Sequence, residues 1–312
     1  MKAVVYEKYG PPEVLKLVDV EKPTPKDNEL LVKVHGTTVN AAVVNGRKGK
    51  HPASKFFTFA LRLIYGIRKP RKPILGYEFG GVVESVGKDV TLFKKGDEIF
   101  GTTTMLKQGS YAEYVCVPEK WKSGVVEIKP ANLTFEEAAA VPVAGMAVLQ
   151  IIRKANIQKG QKVLVSGASG STGSFAVLLA KYFGAEVTGV CSTDKIEMVK
   201  SLGADKVIDY TKEDFTQSGE KYDVVFESTV KVSDKKCKSV LKPNGVFLTI
   251  KSMTSETTEK MTYLRDLIEK GKIKPYIDRS YPLEEMVEAH KYVDEGHKKG
   301  NVVITIVQND NN

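Results

Sequence analysis

The stretch that most restricts the fold is VLVSGASGSTGSFAVLLAKYFGAEVTGVCSTD, residues 163–194. Residues 162–166 form a short β-branched run, which is typical of a buried parallel strand. A glycine-rich turn follows, then a segment of helical composition that Gly184 ends as a C-cap, then the strand-like AEVTGV. This order predicts a strand–turn–helix–strand unit and therefore a parallel sheet covered by helices.

The turn has the spacing Ala168-x-Gly170-x-x-Gly173. Small residues at 168 and 170 let the backbone approach a pyrophosphate, and Gly173 lets the helix pack close to the strand. The start of the helix adds N–H groups and partial positive charge. In this context the turn predicts a dinucleotide site. The alternative is a glycine-rich turn that binds no ligand.

The residues after the second strand bear on which dinucleotide binds. An NAD site usually carries an acidic residue there for the ribose 2′-hydroxyl. This chain has Cys191, followed by Ser192, Thr193, Asp194 and Lys195. Ser192 and Lys195 suit a 2′-phosphate and favour NADPH. Asp194 favours NADH but falls late in the turn, and Lys195 has the alternative interpretation of an ordinary exposed residue.

Composition limits the remaining classes of function. A chain of 312 residues is long enough for two domains. Its three cysteines form no disulfide or zinc-knuckle pattern, and its first residues resemble a strand rather than a signal peptide, so we expect a reducing, cytoplasmic location. No apolar run is long enough to span a bilayer.

The net charge of +9 includes basic clusters at 47–51 and 68–72. Such clusters can attract nucleic acid or acidic lipid, but no nucleic-acid motif accompanies them, so we expect solvated faces and no nucleic-acid partner. The segment SKFFTFALRLIYGIRKPRK, residues 54–72, mixes aromatic and basic residues. It is predicted to be a helical insertion beside the active site, with a membrane-surface helix as the alternative.

The strand pattern changes along the chain. Residues up to about 120 give short strands with turn signals, which predicts a barrel-like β unit. Strands and helices alternate from about 125 to 250, which predicts a doubly wound parallel sheet. The tail adds a helix and a final strand, NVVITIV.

Several ordered motifs carry a family resemblance: GYEFGGVVESVGKDVTLFKKGDEIFG, GSYAEYVCVP, EEAAAVPVAGMAVLQ, SGASGSTG and GHKKGNVVI. The chain resembles the medium-chain dehydrogenase/reductase superfamily, and within it the zinc-free, quinone-oxidoreductase-like branch. The resemblance implies a GroES-like catalytic domain over 1–122 with 272–312, a Rossmann domain over 123–271, and a substrate cleft where the two meet.

The zinc signature of that superfamily is present except for its ligands. The motif Gly-His-Glu-x-x-Gly reads Gly76-Tyr77-Glu78-Phe79-Gly80-Gly81, and Asn40 lies in the region of the first-ligand cysteine. Zinc needs several Cys, His or carboxylate ligands that converge. We therefore expect no zinc, and hydride transfer to acceptors that are already electrophilic.

The resemblance also implies roles for particular residues. Asn40 corresponds to an asparagine beside the nicotinamide ribose, and Tyr210 to a position that flanks the adenosine. Ser171 and Thr172 would give backbone N–H groups to the pyrophosphate, between Gly170 and Gly173. Tyr77 or a water molecule would supply a proton, the alternative for Tyr77 being a packing role.

The chain departs from its relatives in three places. Ala147 replaces a common threonine, and Glu227 and Val230 replace a common aspartate and glycine. The segment after GVFLTI is too short for another helix and strand, so we expect five parallel strands and leave monomer or dimer undecided.

These features predict an NADPH-dependent, zinc-independent oxidoreductase that acts on quinones or α,β-unsaturated carbonyl compounds. The first alternative is a cofactor-binding sensor or structural protein with little turnover. The second is a binder of nucleic acid or membrane surfaces through the basic clusters.

Overall fold

The computed structural model describes residues 1–50, 58–59, 62–63 and 65–306. The strands are β1 (Lys2–Val5), β2 (Lys16–Asp19), β3 (Glu29–Val39), β4 (Glu78–Val86), β5 (Glu98–Thr102), β6 (Tyr114–Pro118), β7 (Val126–Ile128), β8 (Lys162–Ser166), β9 (Glu186–Cys191), β10 (Lys206–Asp209), β11 (Tyr222–Glu227), β12 (Leu241–Thr249), β13 (Ile277–Pro282) and β14 (Asn301–Thr305). The α-helices in this part of the chain include α1 (Ala41–Lys48), α2 (Thr104–Lys107), α3 (Phe135–Ala139), α4 (Pro142–Ile152), α5 (Ser171–Tyr182), α6 (Ile196–Ser201), α7 (Asp234–Lys238), α8 (Thr258–Glu269) and α9 (Met286–Glu295).

The chain divides into two compact units, Met1–Val143 with Ile277–Asn312, and Ala144–Tyr276. The sequence places the boundaries after residues 122 and 271 instead. Two elements explain the difference at the first boundary. Strand β7 pairs with β5, and helix α3 packs on β3 and β4, so both belong to the first unit.

The first unit is built on a largely antiparallel sheet with the order β13-β14-β3-β4-β5-β7, and β6 also pairs with β3. Only the β13–β14 pair on this path is parallel. Strand β3 is central and almost continuously buried, as its run of aliphatic residues predicts. The core of the first unit includes Leu30, Val32, Phe79 and Ile99. The sequence predicts this β-rich unit.

The second unit is a parallel sheet with the strand order β10-β9-β8-β11-β12. Every pairing in it is parallel. The order reverses between β8 and β11, which is the doubly wound arrangement. Five strands are present, as predicted from the short segment after β12, so β12 is an edge of this sheet.

The basic cluster at 47–51 does not form a uniformly solvated face. Arg47 is fully buried, and its guanidinium donates to Asp294 Oδ2 at 2.6 Å and to the Gly10 carbonyl at 3.2 Å. The expectation of a solvated face is therefore wrong at Arg47, because α1 directs this side chain into the unit. The basic residues of 68–72 are exposed, as expected.

Part of the segment predicted as a helical insertion, 54–72, lies outside the described residues, namely 54–57, 60, 61 and 64. The membrane-surface alternative depends on the same positions. Within the described chain, no helix has both the length and the apolar character needed to cross a membrane.

Candidate functional site

The glycine-rich turn of the second unit joins β8 to the start of α5. Gly167 has a φ of +74°, a conformation that favours glycine, and the N–H groups of Gly167 and Ala168 donate to the Val190 carbonyl. A Cβ on Gly173 would lie 2.0 Å from the Gly167 oxygen, so only glycine lets α5 pack this close to the turn. The turn and helix are thus fixed against each other by backbone contacts.

The space beside Gly170 is open, because a Cβ there would meet only the Gly167 oxygen at 3.7 Å. Gly170 is the N-cap of α5 and no side-chain hydrogen bond caps this helix end. The first turn of α5 contains Ser171, Thr172 and Gly173, and the N–H groups at the beginning of an α-helix point outward from that end. This end of α5 therefore has the backbone donors, the dipole and the space that a pyrophosphate needs.

A second loop packs over the glycine-rich turn from the end of β11. Ser228 Oγ donates to the Ser166 carbonyl at 2.7 Å and also lies 3.1 Å from the Gly167 oxygen. The carboxylate of Glu227 accepts the N–H groups of Thr229 at 2.9 Å and Val230 at 2.7 Å. The Glu227 carboxylate thus folds the loop, and Ser228 ties that loop to the turn.

The turn after β9 carries Ser192 and Lys195. The side chain of Lys195 is 8% exposed, so its stem is packed rather than free in solvent. Over the described residues its ammonium has no hydrogen bond or ion pair. Ser192 Oγ donates to Asp194 Oδ1 at 2.6 Å, which places the rival carboxylate directly beside the serine.

Asp209, at the end of β10, contacts the same turn through Thr193. Its carboxylate accepts hydrogen bonds from the hydroxyls of Thr193 and Thr211, and these lower the pKa of Asp209 below its usual range. Tyr210 follows directly and is 62% exposed. Because β8, β9 and β10 are parallel neighbours, the predicted cofactor residues of this unit, Gly170 to Gly173, Ser192, Lys195 and Tyr210, lie at the carboxyl edge of one sheet.

The predicted residues of the first unit form a different cluster. Asn40 is the N-cap of α1, and its Oδ1 accepts the N–H of Val43 at 3.0 Å. Its amide nitrogen donates to Glu78 Oε1 at 3.0 Å. Glu78 is 4% exposed and also accepts the Thr38 hydroxyl at Oε1 and the Val143 N–H at Oε2, at 2.9 Å.

Tyr77 does not join that cluster, although it precedes Glu78 in the chain. It is 2% exposed, and its hydroxyl is 2.9 Å from the hydroxyl of Tyr65. Burial and the Tyr65 hydroxyl raise the pKa of Tyr77 well above its ordinary value. A Cβ on Gly46 would lie 2.5 Å from the Tyr77 hydroxyl, so α1 closes over it. These contacts favour the packing interpretation of Tyr77.

Two residues in these clusters, Glu78 and Ser228, are not site predictions from the sequence. For Glu78 a signal exists: a single carboxylate inside the glycine-rich and apolar run GYEFGGVV is expensive to bury without donors. For Ser228 no such signal exists, since a serine after a strand is common. In the described part of the chain, no group of three or more His, Cys, Asp or Glu side chains could hold a metal ion.

Comparison with known protein families gives matches over both units. Residues 26–130 match the alcohol dehydrogenase GroES-like domain, and residues 171–274 and 250–304 match two families described as zinc-binding dehydrogenase. A 2-methylene-furan-3-one reductase of Solanum lycopersicum is 36% identical, with 97% of this chain and 79% of the relative covered. A chloroplastic NADPH-dependent alkenal/one oxidoreductase of Arabidopsis thaliana is 33% identical over the same shares.

A solved structure agrees with these matches. The quinone oxidoreductase from Coxiella burnetii superposes with a TM-score of 0.82 at 28% identity, and the alignment covers 98% of this chain and 99% of the other. The fold is therefore shared across nearly the whole chain. The chain belongs to the medium-chain dehydrogenase/reductase superfamily, in its quinone-oxidoreductase-like branch.

Proposed function

We propose that the chain is an NADPH-dependent oxidoreductase that transfers hydride to quinones or α,β-unsaturated carbonyl compounds without zinc. The observation that carries this proposal has two parts: the open helix end at Gly170 after β8, and the packed side chain of Lys195 after the neighbouring strand β9, which has no anionic partner among the described residues. The relatives support the same class of reaction by their names: a 2-methylene-furan-3-one reductase, an NADPH-dependent alkenal/one oxidoreductase and a quinone oxidoreductase.

The residues present fit a dinucleotide phosphate. The N–H groups of Ser171, Thr172 and Gly173 would bind the pyrophosphate, and Ser192 and Lys195 would bind the 2′-phosphate. Tyr210, exposed beside that turn, would flank the adenosine. NADH is the weaker alternative, because Asp194 accepts from Ser192 rather than occupying the end of β9.

The choice of acceptor follows from residue identity. Tyr77 stands where the zinc signature has histidine, and Asn40 lies in the region of the first-ligand cysteine. Neither side chain is a usual zinc ligand. Without a Lewis acid, the favoured acceptors are those whose own conjugation makes a carbon or oxygen electrophilic.

NADPH, when bound, supplies a hydride from its nicotinamide ring. The protein would contribute binding, orientation and exclusion of water. We propose that Asn40 contacts the nicotinamide end of the cofactor through its amide. The Tyr77 hydroxyl is committed to Tyr65, so we propose that water supplies the proton that completes reduction of the acceptor.

The first experiment follows oxidation of NADPH and NADH with 9,10-phenanthrenequinone and with a small enone, each with and without a chelator. Oxidation of NADPH in preference to NADH, unchanged by chelation, is the expected result. Loss of activity on chelation would contradict zinc independence. Binding of NADPH without turnover on either acceptor would favour the sensor alternative.

Lys195→Met tests the cofactor assignment. One charge-assisted contact is worth about 1.5–3 kcal/mol, so we expect KM for NADPH to rise about 10- to 100-fold while the kinetics with NADH stay unchanged. The matched control is Lys200→Met, which removes an exposed lysine paired with Glu197 from the next helix and should alter neither cofactor's KM. Equal effects on both cofactors would contradict a 2′-phosphate contact.

The location and partners belong to the same proposal. Cys116, Cys191 and Cys237 are buried and free, which supports a reducing compartment such as the cytoplasm. We expect a small electrophile as the partner, with no nucleic acid and no membrane association.

A further inference from the structure

We propose that Glu78 is a positioning residue for hydride transfer, because its buried carboxylate fixes the orientation of the Asn40 amide. This inference rests on the proposed function, since it takes Asn40 to be the contact for the nicotinamide end of the cofactor.

Three donors converge on the two oxygens of Glu78. The Thr38 hydroxyl and the Asn40 amide nitrogen share Oε1, and the Val143 N–H bonds to Oε2 at 2.9 Å. Only a carboxylate of this length offers two acceptor oxygens and no hydrogen. Glutamine would direct an NH₂ group at one of the three donors. The site is therefore specific for an ionised glutamate rather than for a polar side chain of that size.

The positions of two helices explain how a buried charge is tolerated. Asn40 caps α1, and Val143 lies in the first turn of α4, so Glu78 faces the beginnings of both helices. Helix beginnings carry partial positive charge and stabilise anions. Burial raises the pKa of Glu78, and the hydrogen bonds from Thr38, Val143 and Asn40 oppose that rise.

Glu78 leaves the Asn40 amide in one orientation. Val43 N–H holds its oxygen at 3.0 Å and Glu78 holds one hydrogen of its nitrogen, so the amide cannot flip without losing both bonds. One N–H and one lone pair of the amide remain for a ligand. In the absence of the Glu78 carboxylate, only the bond to Val43 would restrain the group.

The test is a double-mutant cycle of Asn40→Ala with Glu78→Gln and Glu78→Leu. Misplacement of a positioning group costs up to about 100-fold, so we expect kcat to fall about 10- to 100-fold for either Glu78 variant, with little change in KM for the quinone. The deuterium isotope effect with NADPH labelled at nicotinamide C4 should rise. Asn40→Ala/Glu78→Leu should be no slower than Asn40→Ala alone.

A second readout needs no turnover. The side-chain amide signals of Asn40, assigned from Asn40→Ala, should be protected from exchange in the native chain and should shift when NADPH is added. In Glu78→Gln the protection and the NADPH-dependent shift should be lost. A rapidly exchanging Asn40 amide in the unmutated chain would overturn the inference without any variant.

Two controls separate positioning from stability. Glu29→Gln alters another buried carboxylate, which is bound to Lys107, and should lower stability but leave the isotope effect unchanged. Glu84→Gln alters a solvent-accessible carboxylate on the same strand as Glu78. It should change neither the stability nor the isotope effect. Additive rate losses with an unchanged isotope effect would reject positioning, whereas an unmutated chain that oxidises no NADPH would reject the proposed function alone.

Discussion

Val230 adopts a backbone conformation that its side chain opposes. Its φ is +57°, its side chain is 42% exposed, and its N–H is bound by Glu227. A left-handed conformation costs a β-branched residue about 1–2 kcal/mol, and glycine avoids this cost. Glycine is thus the residue that the Glu227 turn prefers at this position.

We expect Val230→Gly to raise the free energy of unfolding by about 1 kcal/mol, since glycine's greater freedom in the unfolded chain offsets part of the gain. Urea unfolding at neutral pH measures this. Val86→Gly, at an exposed valine of β4 whose φ is not positive, should lower stability instead. A loss of stability in Val230→Gly would show that side-chain packing outweighs the backbone strain.

Single residues differ in how far the sequence predicts them. Gly170, Gly173 and Lys195 are proposed as site residues from local spacing, because the residues of such a turn are neighbours in the chain. The burial of Arg47 and of the Glu78 carboxylate is not predicted. Their partners, Asp294 and Val143, are remote in sequence, so no local pattern shows that a charge is satisfied there.

At the scale of elements, a buried chain of hydrogen bonds links α1 and α9. Arg47 Nη1 lies 3.2 Å from His290 Nδ1, His290 Nε2 lies 3.1 Å from the Tyr111 hydroxyl, and Tyr111 donates to the Thr38 carbonyl at 3.1 Å. Since Arg47 can only donate, His290 accepts at Nδ1 and carries its hydrogen on Nε2. This series of hydrogen bonds ends at Thr38, which is next to Val39, the last residue of β3, and two residues before Asn40.

The state of His290 makes stability depend on pH. Burial, followed by the charge of Arg47, lowers the pKa of His290 to about 3, with Lys48 acting in the same direction and Asp294 against it. The unfolded chain takes up this proton near its ordinary value of about 6.5. The contribution to stability is therefore complete above pH 6.5 and is lost as the pH falls toward 3, at about 1.4 kcal/mol per pH unit.

His290→Gln tests this prediction, because glutamine can keep one acceptor and one donor but does not titrate. Urea unfolding at pH 7, 6, 5 and 4 should show a shallower loss of stability in acid than in the unmutated chain. His297→Gln, at an exposed histidine, should leave the acid slope unchanged. An unaltered slope in His290→Gln would mean that other groups account for it.

The elements themselves follow the sequence unevenly. The alternation around β8, α5 and β9 is correctly predicted because strand and helix periodicity are local. The boundary between the units lies later in the chain than the sequence predicts, because β7 joins the first unit by pairing with β5. The residues near β7 in sequence carry no sign of that pairing. Positions such as this depend on pairing across the chain rather than on propensity.

For the whole molecule, the three cysteines report on both units. Burial raises the pKa of Cys116, Cys191 and Cys237 to about 11 in each case. Roughly one thiol in a thousand is then ionised at pH 8, and the thiolate is the reactive form. We expect negligible reaction with a thiol reagent in the native state and three reactive thiols per chain in urea.

Cys116→Ser separates the two units in this assay, because Cys191 and Cys237 both lie in the unit Ala144–Tyr276. The remaining reaction on partial denaturation then reports the opening of that unit. Fast labelling of the native chain at pH 8 would contradict the burial of these thiols.

The five-stranded sheet is the whole-molecule feature that residue counting predicts best. What the count does not give is how the short segment 250–257 is secured. The Lys260 ammonium binds Gln150 Oε1 at 2.6 Å and Ser255 Oγ at 3.0 Å, and burial lowers the pKa of Lys260. A buried lysine therefore ties this short segment to α4.

The glycine-rich turn has a consequence for how such a protein can change over evolution. Its proposed phosphate contacts are main-chain N–H groups, which most substitutions leave in place. The proposed 2′-phosphate contacts are two side chains, Ser192 and Lys195, on a separate turn. Substitution of one or both of these side chains could therefore shift the preference between NADPH, the biosynthetic reductant, and NADH, the catabolic one. Such a change would not disturb the chemistry of the first unit.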